Sequence, residues 1–444
     1  MRLLGLRKNA GFVPVILLPV FAAGCLTVRL PTINIQKEEE KKALTWQDMV
    51  ETAREHNPDL RRARAERKSG FWSRNIAAGD YLPSVNGVLD RTRRTTPSSD
   101  EAQNQFGVNL EANQNLFSGF DTTGKTLQAQ KDYGAAQWAY RETSAAVRFR
   151  LRSAYVELLK FNRLQKVNER IVDRRAQNAE LIHLRYEAGR ENLGSDMRAQ
   201  AILDRAHFGL RQTERRIESQ SLRLAREMGS DFAIPLPVEG DMDWMIPEVP
   251  AGQPDYTELA LNTPQVKRLI KNAESAKAAV ISAQSVIWPR VDGTYDYIQS
   301  GERPSKLEKE YVLGLRASLP LFNGGKNVQG IMKAKADYDA ARQAAANSRD
   351  EAIARLSEAW TQYIDAVESV QVTKAFLEAS LKRSEIIRAQ YSSGLTDFQE
   401  FDIAEQELAD SEIAYVESLR DALIQQANWE LAIGLTLEDF VHAA

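Results

Sequence analysis

The stretch Phe106-Gly107-Val108-Asn109-Leu110-Glu111-Ala112-Asn113-Gln114-Asn115-Leu116-Phe117-Ser118-Gly119 has a counterpart 205 positions later, Tyr311-Val312-Leu313-Gly314-Leu315-Arg316-Ala317-Ser318-Leu319-Pro320-Leu321-Phe322-Asn323-Gly324. In the first, Phe106, Val108, Leu110, Ala112 and Leu116 alternate with Gly107, Asn109, Glu111, Asn113 and Asn115. In the second, Tyr311, Leu313, Leu315, Ala317, Leu319 and Leu321 alternate with Val312, Gly314, Arg316, Ser318 and Pro320. A period of two gives a strand with one apolar face and one mainly polar face. Each segment closes on Leu-Phe-x-Gly.

Working outward, the same shift recurs. Tyr133 returns as Tyr338, Ala154-Tyr155 as Ala359-Trp360, Tyr186-Glu187-Ala188-Gly189 as Tyr391-Ser392-Ser393-Gly394, and Gly229 as Gly434. Upstream the shift is 206: Asn57-Pro58 matches Thr263-Pro264, Leu82-Pro83 matches Trp288-Pro289, and Gly87 matches Gly293. The chain is therefore a duplication. Residues 25–238 form the first repeat, with strands expected at about 84–93 and 106–117. Residues 239–444 form the second, with strands at about 289–298 and 311–322.

Each half reads as short helix, helix, strand, strand, very long helix, helix. A helix opens near Thr45 and stops before Pro58, because the residue before proline resists helical geometry; the next runs from about Asp59 to Tyr81. From Gly119 to Tyr186, and again from Gly325 to Tyr391, there is no proline and little glycine. Each stretch permits one helix of ~100 Å at 1.5 Å per residue. The shorter helices, near Asp59–Tyr81 and Asp196–Met228, add up to about 85 Å by the same rise. Laid end to end they nearly match the long helix, which implies a hollow cylinder of paired helices. Ile353, Leu356, Trp360, Tyr363, Val367 and Val370 step by three and four, as in a coiled-coil seam. Ala340, Ala341, Ala344 and Ala345 leave room for close helix approach.

Strands of about ten residues with one apolar face suit a transmembrane β-barrel; a soluble, half-buried hairpin shows the same alternation. Aromatic residues favour the membrane. Tyr81, Phe117, Trp288 and Phe322 stand at one level and Phe106, Tyr297 and Tyr311 at the other, as interfacial belts require. The expected loops between strands, about Thr92–Gln105 and Gln299–Glu310, are polar. Four strands cannot close a barrel alone, and an open sheet in lipid leaves edge N–H and C=O groups unsatisfied at several kcal/mol each. Several chains must share one barrel. Two would give a barrel too narrow for a lumen; three would give twelve strands, and four remain open on the sequence alone.

The N-terminus carries Arg2, Arg7 and Lys8, then an apolar run from Phe12 to Ala23 broken by Pro14 and Pro19. This reads as a secretory signal over residues 1–24. It ends Ala22-Ala23-Gly24-Cys25, like a bacterial lipobox in which Cys25, the only cysteine, receives lipid. The alternative is an ordinary signal with a chance cysteine at the cleavage point. Leu26 follows rather than an aspartate, so nothing argues for inner-membrane retention. The chain has 58 basic against 61 acidic residues and offers no basic field for nucleic acid. His56, His183, His207 and His442 are scattered, and no phosphate loop, zinc spacing or nucleophile motif occurs, so no enzyme, metal site or cofactor is expected.

The ordered set of duplicated helix–strand–strand–helix units, Leu-Pro/Trp-Pro junctions, Leu-Phe-x-Gly junctions and Tyr-x-x-Gly turns resembles the TolC-like outer-membrane factor family over essentially the mature chain. The resemblance implies a mainly α protein with a β part: a homotrimer with a twelve-stranded transmembrane barrel on a long periplasmic α-helical barrel. It also implies outer-membrane lipid around the barrel, and a periplasmic adaptor (membrane fusion protein) and an inner-membrane transporter as partners. Tyr186, Gly189, Tyr391 and Gly394 would then mark the tips where the adaptor docks; Gly189 and Gly394 permit the tight helix exit a hairpin needs. Acids after the second turn, Glu400, Asp402 and Asp397, are the candidates for a ring at the closed aperture. Asp402-Ile403-Ala404 stands where the family ends in leucine-aspartate-alanine, which moves the second acid about 100° around the helix. The bland reading is that these acids serve the helix N-terminus; Asp196 reads as an N-cap. Tripartite efflux competes with type I protein secretion, and a structural envelope coiled coil is the remaining alternative. A periplasmic adaptor would show one hairpin between Gly-rich β modules instead of two matching halves.

Overall fold

The computed structural model describes residues 43–94, 103–230, 236–248 and 252–439. Cys25 and the signal segment lie outside them.

Helix α1 (Trp46–His56) starts at Thr45, whose hydroxyl accepts from the Asp48 amide at 3.2 Å while the Asp48 carboxylate accepts from the Thr45 amide at 3.0 Å. This reciprocal box satisfies two amides that a helix start leaves orphaned. Asn57 then ends α1 and caps α2 (Pro58–Gly79), accepting from the amides of Asp59 and Leu60 and donating to the Glu227 carbonyl at 2.7 Å. Strands β1 (Ser84–Arg94) and β2 (Gln103–Phe117) follow, then α3 (Asp121–Glu187) and α4 (Leu193–Met228). A one-turn helix, α5 (Met242–Met245), lies in the connector. The second repeat comprises α6 (Tyr256–Asn262), α7 (Pro264–Gln284), β3 (Arg290–Arg303), β4 (Lys306–Ser318), α8 (Lys326–Ser393) and α9 (Phe398–Ile433).

The strands form one antiparallel sheet in the order β1-β2-β3-β4. Its register puts Val85, Ala112, Tyr295 and Leu313 on one cross-strand rung and Gly87, Leu110, Tyr297 and Tyr311 on the next. This face carries no carboxylate from Ser84 to Arg93, Asn104 to Phe117 or Arg290 to Ser318. Its apolar side chains stand open, with Leu89 81% and Leu313 85% exposed. The opposite face holds Asp90, Glu111, Asp292, Asp296, Glu308 and Glu310. One face is mainly apolar, with Arg91, Arg93 and Lys309 toward its loop end, and the other is polar and acidic.

Three strands differ from the expected bounds, β2 by starting at Gln103 instead of about 106. β3 and β4 continue through the polar stretch around Gln299–Glu310 and turn over Pro304 and Ser305, because polar side chains do not prevent backbone pairing. β4 ends at Ser318 instead of near Phe322, where Pro320 has no N–H to offer a ladder.

Gly119 shows why the strand-to-helix junction needs glycine. Its φ is +64°, and a Cβ there would meet the Ser285 carbonyl oxygen at 2.6 Å and the Trp288 Cβ at 2.8 Å. Phe120 beside it also has a positive φ, 74°, and its ring packs edge-on against Phe117 at 5.5 Å and Trp288 at 6.0 Å.

α3 packs along α2 and α4, and also along α7 and α9 of the second repeat; α8 packs along α7 and α9. The main core lies among the middles of these helices, around Leu151, Tyr155, Leu158, Leu224, Val367, Leu419 and Leu423, with Met49 and Val50 of α1. The seam on α8 buries Leu356, Tyr363, Val367 and Val370, with Trp360 packed against it and edge-on to Trp429 at 5.0 Å. The connector is strapped across this core. Leu44 donates to the Pro237 carbonyl at 2.9 Å, Glu239 donates back to Leu44 at 3.1 Å, and the Tyr155 hydroxyl donates to the Glu239 carbonyl at 2.6 Å. Among the described residues no helix is long and apolar enough to cross a membrane.

Candidate functional site

The two Tyr-x-x-Gly turns close the two long hairpins by the same device. At the end of α3, Gly189 (φ +70°) donates to the Tyr186 carbonyl at 2.9 Å and Arg190 donates to Arg185 at 2.8 Å. At the end of α8, Gly394 (φ +78°) donates to Tyr391 at 3.0 Å and Leu395 donates to Gln390 at 2.9 Å. Each left-handed glycine satisfies the last carbonyls of its helix. The next helix is then capped by Asn192, which accepts from the Ser195 amide at 2.9 Å, or by Asp397, which accepts from the Glu400 amide at 2.9 Å. Asn192 and Asp397 are 205 positions apart, like the turns themselves.

Asp196 is therefore not the cap of α4. It lies in the first turn, where its carboxylate meets His183 Nδ1 at 3.2 Å, while His183 Nε2 lies 3.5 Å from Glu187. The cap falls earlier because Asn192 is the first side chain after the Gly189 turn that reaches the free amides.

The two tyrosines have parted company. Tyr186 is partly exposed, whereas Tyr391 is fully buried. The Tyr391 ring stacks flat on Phe401, 4.7 Å centroid to centroid, and its hydroxyl donates to Glu191 of the other hairpin at 2.8 Å. The Arg185 guanidinium lies 4.4 Å over the same ring and donates to the Tyr391 carbonyl at 2.8 Å. Burial first, and the Glu191 carboxylate second, push the phenol pKa well above its ordinary value. Tyr391 is a cross-hairpin latch.

Of the three acids, Glu400 is half-exposed and paired with Arg383 at 2.7 Å. Asp397 is occupied as the α9 cap. Asp402 turns into the protomer, where Arg198 donates at 2.8 Å and Arg175 approaches to 3.5 Å. It lies on the face of α9 that meets α3 and α4, and both of its oxygens face arginines of the same chain.

A second carboxylate row lies along α9. Glu405, whose side chain is 1% exposed, accepts from Ser384 at 2.6 Å, Arg388 at 2.8 Å and Asn178 at 3.2 Å. Burial pushes its pKa upward, but Ser384, Arg388 and Asn178 outweigh that and hold it below the ordinary range. Glu412 accepts from Arg174 at 2.5 Å and 3.1 Å, with Arg170 at 3.5 Å. The sequence reading missed this row. Its signal was present: Glu405 and Glu412 occupy the same seam steps as Ala409, Val416, Leu419 and Leu423, and acids at seam positions need buried partners.

Among the described residues no group of His, Cys, Asp or Glu is arranged to hold a metal ion. The site offers no nucleophile with a base. It offers two matched hairpin tips, bolted to each other by a tyrosine and a charge row.

A duplicated helix-hairpin subunit that carries an open four-stranded sheet with a lipid-compatible face defines the class of outer-membrane channel subunits. The chain belongs to the outer membrane efflux protein family, whose model matches residues 49–230 and again 256–435. Outer membrane protein OprJ of Pseudomonas aeruginosa is 22% identical over 403 residues, covering 87% of this chain and 83% of that one. The toluene efflux pump outer membrane protein TtgI of Pseudomonas putida is 23% identical over 306 residues, covering 65% of this chain and 63% of that one. The open-state structure of the Neisseria gonorrhoeae MtrE outer membrane channel superposes with a TM-score of 0.79 at 18% identity, covering 88% of this chain and 89% of that one. The family places the chain in the bacterial outer membrane as a transport duct.

Proposed function

We propose that three copies of this chain form the outer-membrane channel of a tripartite efflux system, a passive exit duct for solutes driven by an inner-membrane pump through a periplasmic adaptor. One observation carries the reading: a sheet with an exposed, carboxylate-free apolar face whose two outer strands, β1 and β4, have no partner on one side. Hydrocarbon does not tolerate such edges, and three copies supply twelve strands with room for a lumen. Repeats 25–238 and 239–444 then act as six quasi-equivalent units around the duct.

The tips at Gly189 and Gly394, with the open Tyr186 ring, are the adaptor-docking surface. Tyr391 contributes through the latch that shapes the tip. Glu400, once on each chain, supplies the inward carboxylate that repels anions and attracts cations. Cys25 carries the lipid anchor after removal of residues 1–24. Efflux is favoured over protein secretion because TtgI, a relative, is named as part of an efflux pump.

The test is conductance and complementation. Purified protein in planar bilayers should give cation-preferring channels, and the gene should restore toxic-solute resistance to a strain lacking its outer-membrane channel when the adaptor and pump are supplied. Lack of conductance from a correctly sized oligomer would favour a structural envelope role. Restored export of a secreted protein without solute resistance would favour secretion. Mass spectrometry of the mature N-terminus reads the anchor: an unacylated Cys25 removes that assignment.

A further inference from the structure

The duplication specifies how one copy meets the next. Within the chain, β1 pairs with β2 through Ser84↔Asn113 and Gly87↔Leu110. Shifting β1 by 206 and β2 by 205 gives Arg290↔Ser318 and Gly293↔Leu315, and both are pairs of β3 with β4. The repeat thus conserves strand register to the residue. The remaining seam inside the chain, β2 with β3, joins the two repeats. Its equivalent, β4 with β1, joins nothing within one chain.

We infer that β4 of one copy pairs with β1 of the next in the register obtained by the same shifts, and that an Arg316–Asp90 ion pair on the water-facing side locks it. This rests on the shared-barrel reading and gives it residue-level content. Asn113↔Thr294 becomes Ser318 beside Val88 of the next copy, and Ala112↔Tyr295 becomes Ala317 beside Leu89. Leu110↔Tyr297 becomes Leu315 beside Arg91. Every such pair keeps the lipid-facing side on the lipid-facing side, as a one-residue slip would not.

The charged position is the informative one. Inside the chain, Glu111 stands directly opposite Asp296, two like charges that oppose pairing. The equivalent positions between copies are Arg316 and Asp90, which are opposite in sign. Both are exposed in the single chain. Asp292, directly opposite Arg316 on β3, feels its charge but is hydrogen-bonded to Arg290 and to Asn115 at 2.7 Å. The seam between copies is therefore attractive where the covalently connected seam is repulsive. The latter needs no such help, because its two repeats are already held together by the chain.

The helices agree. Gly124 of α3 lies so close to α7 that a Cβ would meet Ser282 Cα at 2.9 Å. The same shifts set Ile76 of α2 beside Gln329 of α8 on the neighbouring copy. Ile76 is 73% exposed in the single chain, and Val328 and Met332, which flank Gln329 on α8, are exposed too. Apolar side chains stand open where the repeat calls for a second copy.

Disulfide trapping tests the register. Oxidised Val88→Cys/Ser318→Cys protein should run as a covalent trimer. Asn86→Cys/Ser318→Cys, two residues out of register, should not; each single variant controls for Cys25. Asp90→Arg and Arg316→Asp should each reduce the detergent-resistant trimer about tenfold, and the double charge swap should restore most of it. Trapping in the shifted register, no trapping at all in an intact trimer, or a double swap no better than the singles would overturn the inference. Wild-type protein that sizes as a monomer in detergent would instead remove the shared-barrel reading itself.

Discussion

Tyr391 and Tyr186 occupy equivalent turns, yet only Tyr391 is buried and bonded across to the other hairpin. Tyr391→Phe keeps the stack on Phe401 and deletes the bond to Glu191. It should cost about 1 kcal/mol and raise open-channel conductance in bilayers, with unchanged gating arguing against the latch. Glu405 gives the tip an acid sensitivity. Its folded pKa lies below the unfolded one, so its stabilising contribution is present above the unfolded value and lost as pH falls through the folded value. Hydrogen exchange across 384–405 should stay slow from pH 7 to 5 and quicken below about pH 4; Glu405→Gln should flatten that response. Removing the carboxylate altogether, with Glu405→Ala, leaves Arg388 and Asn178 unpaired and should destabilise by about 3 kcal/mol, read by thermal melting. Glu400→Ala leaves the buried row intact and should weaken cation preference and cation block, measured as reversal potential and block in planar bilayers.

At the scale of elements, the two classes of glycine separate cleanly. Gly189 has a positive φ, but a Cβ there would meet nothing within 4 Å, so Gly189→Ala should cost only the roughly 1–2 kcal/mol of left-handed strain. Gly119→Ala adds a collision with the Ser285 carbonyl and should abolish assembly, since the junction between sheet and α3 cannot give way without moving α7. Trimer yield in detergent distinguishes the two. Much of this level was legible beforehand. Alternation marked strands, proline marked helix ends, and proline-free stretches marked α3 and α8, because these are local backbone rules. The true ends of β3 and β4 were not legible, because loop-like polarity and strand pairing are compatible. The sequence points to Asp196 as the cap of α4 for a related reason: capping depends on where Gly189 finishes the previous helix, which composition does not state.

For the whole molecule, the sequence by itself determined the duplication, the order of elements and the presence of a two-faced sheet that cannot close alone. These follow from periodicity, punctuation and chain chemistry, all of which are one-dimensional. Only the tertiary structure decided which acids are spoken for. Asp402, Glu405 and Glu412 lie on the side of α9 that meets arginines from α3, α4 and α8, and residues more than 200 positions apart come together there. It also decided the strand register, and with it which side chains face each other across a seam, because a one-residue slip is invisible in the sequence yet reverses both faces of a strand.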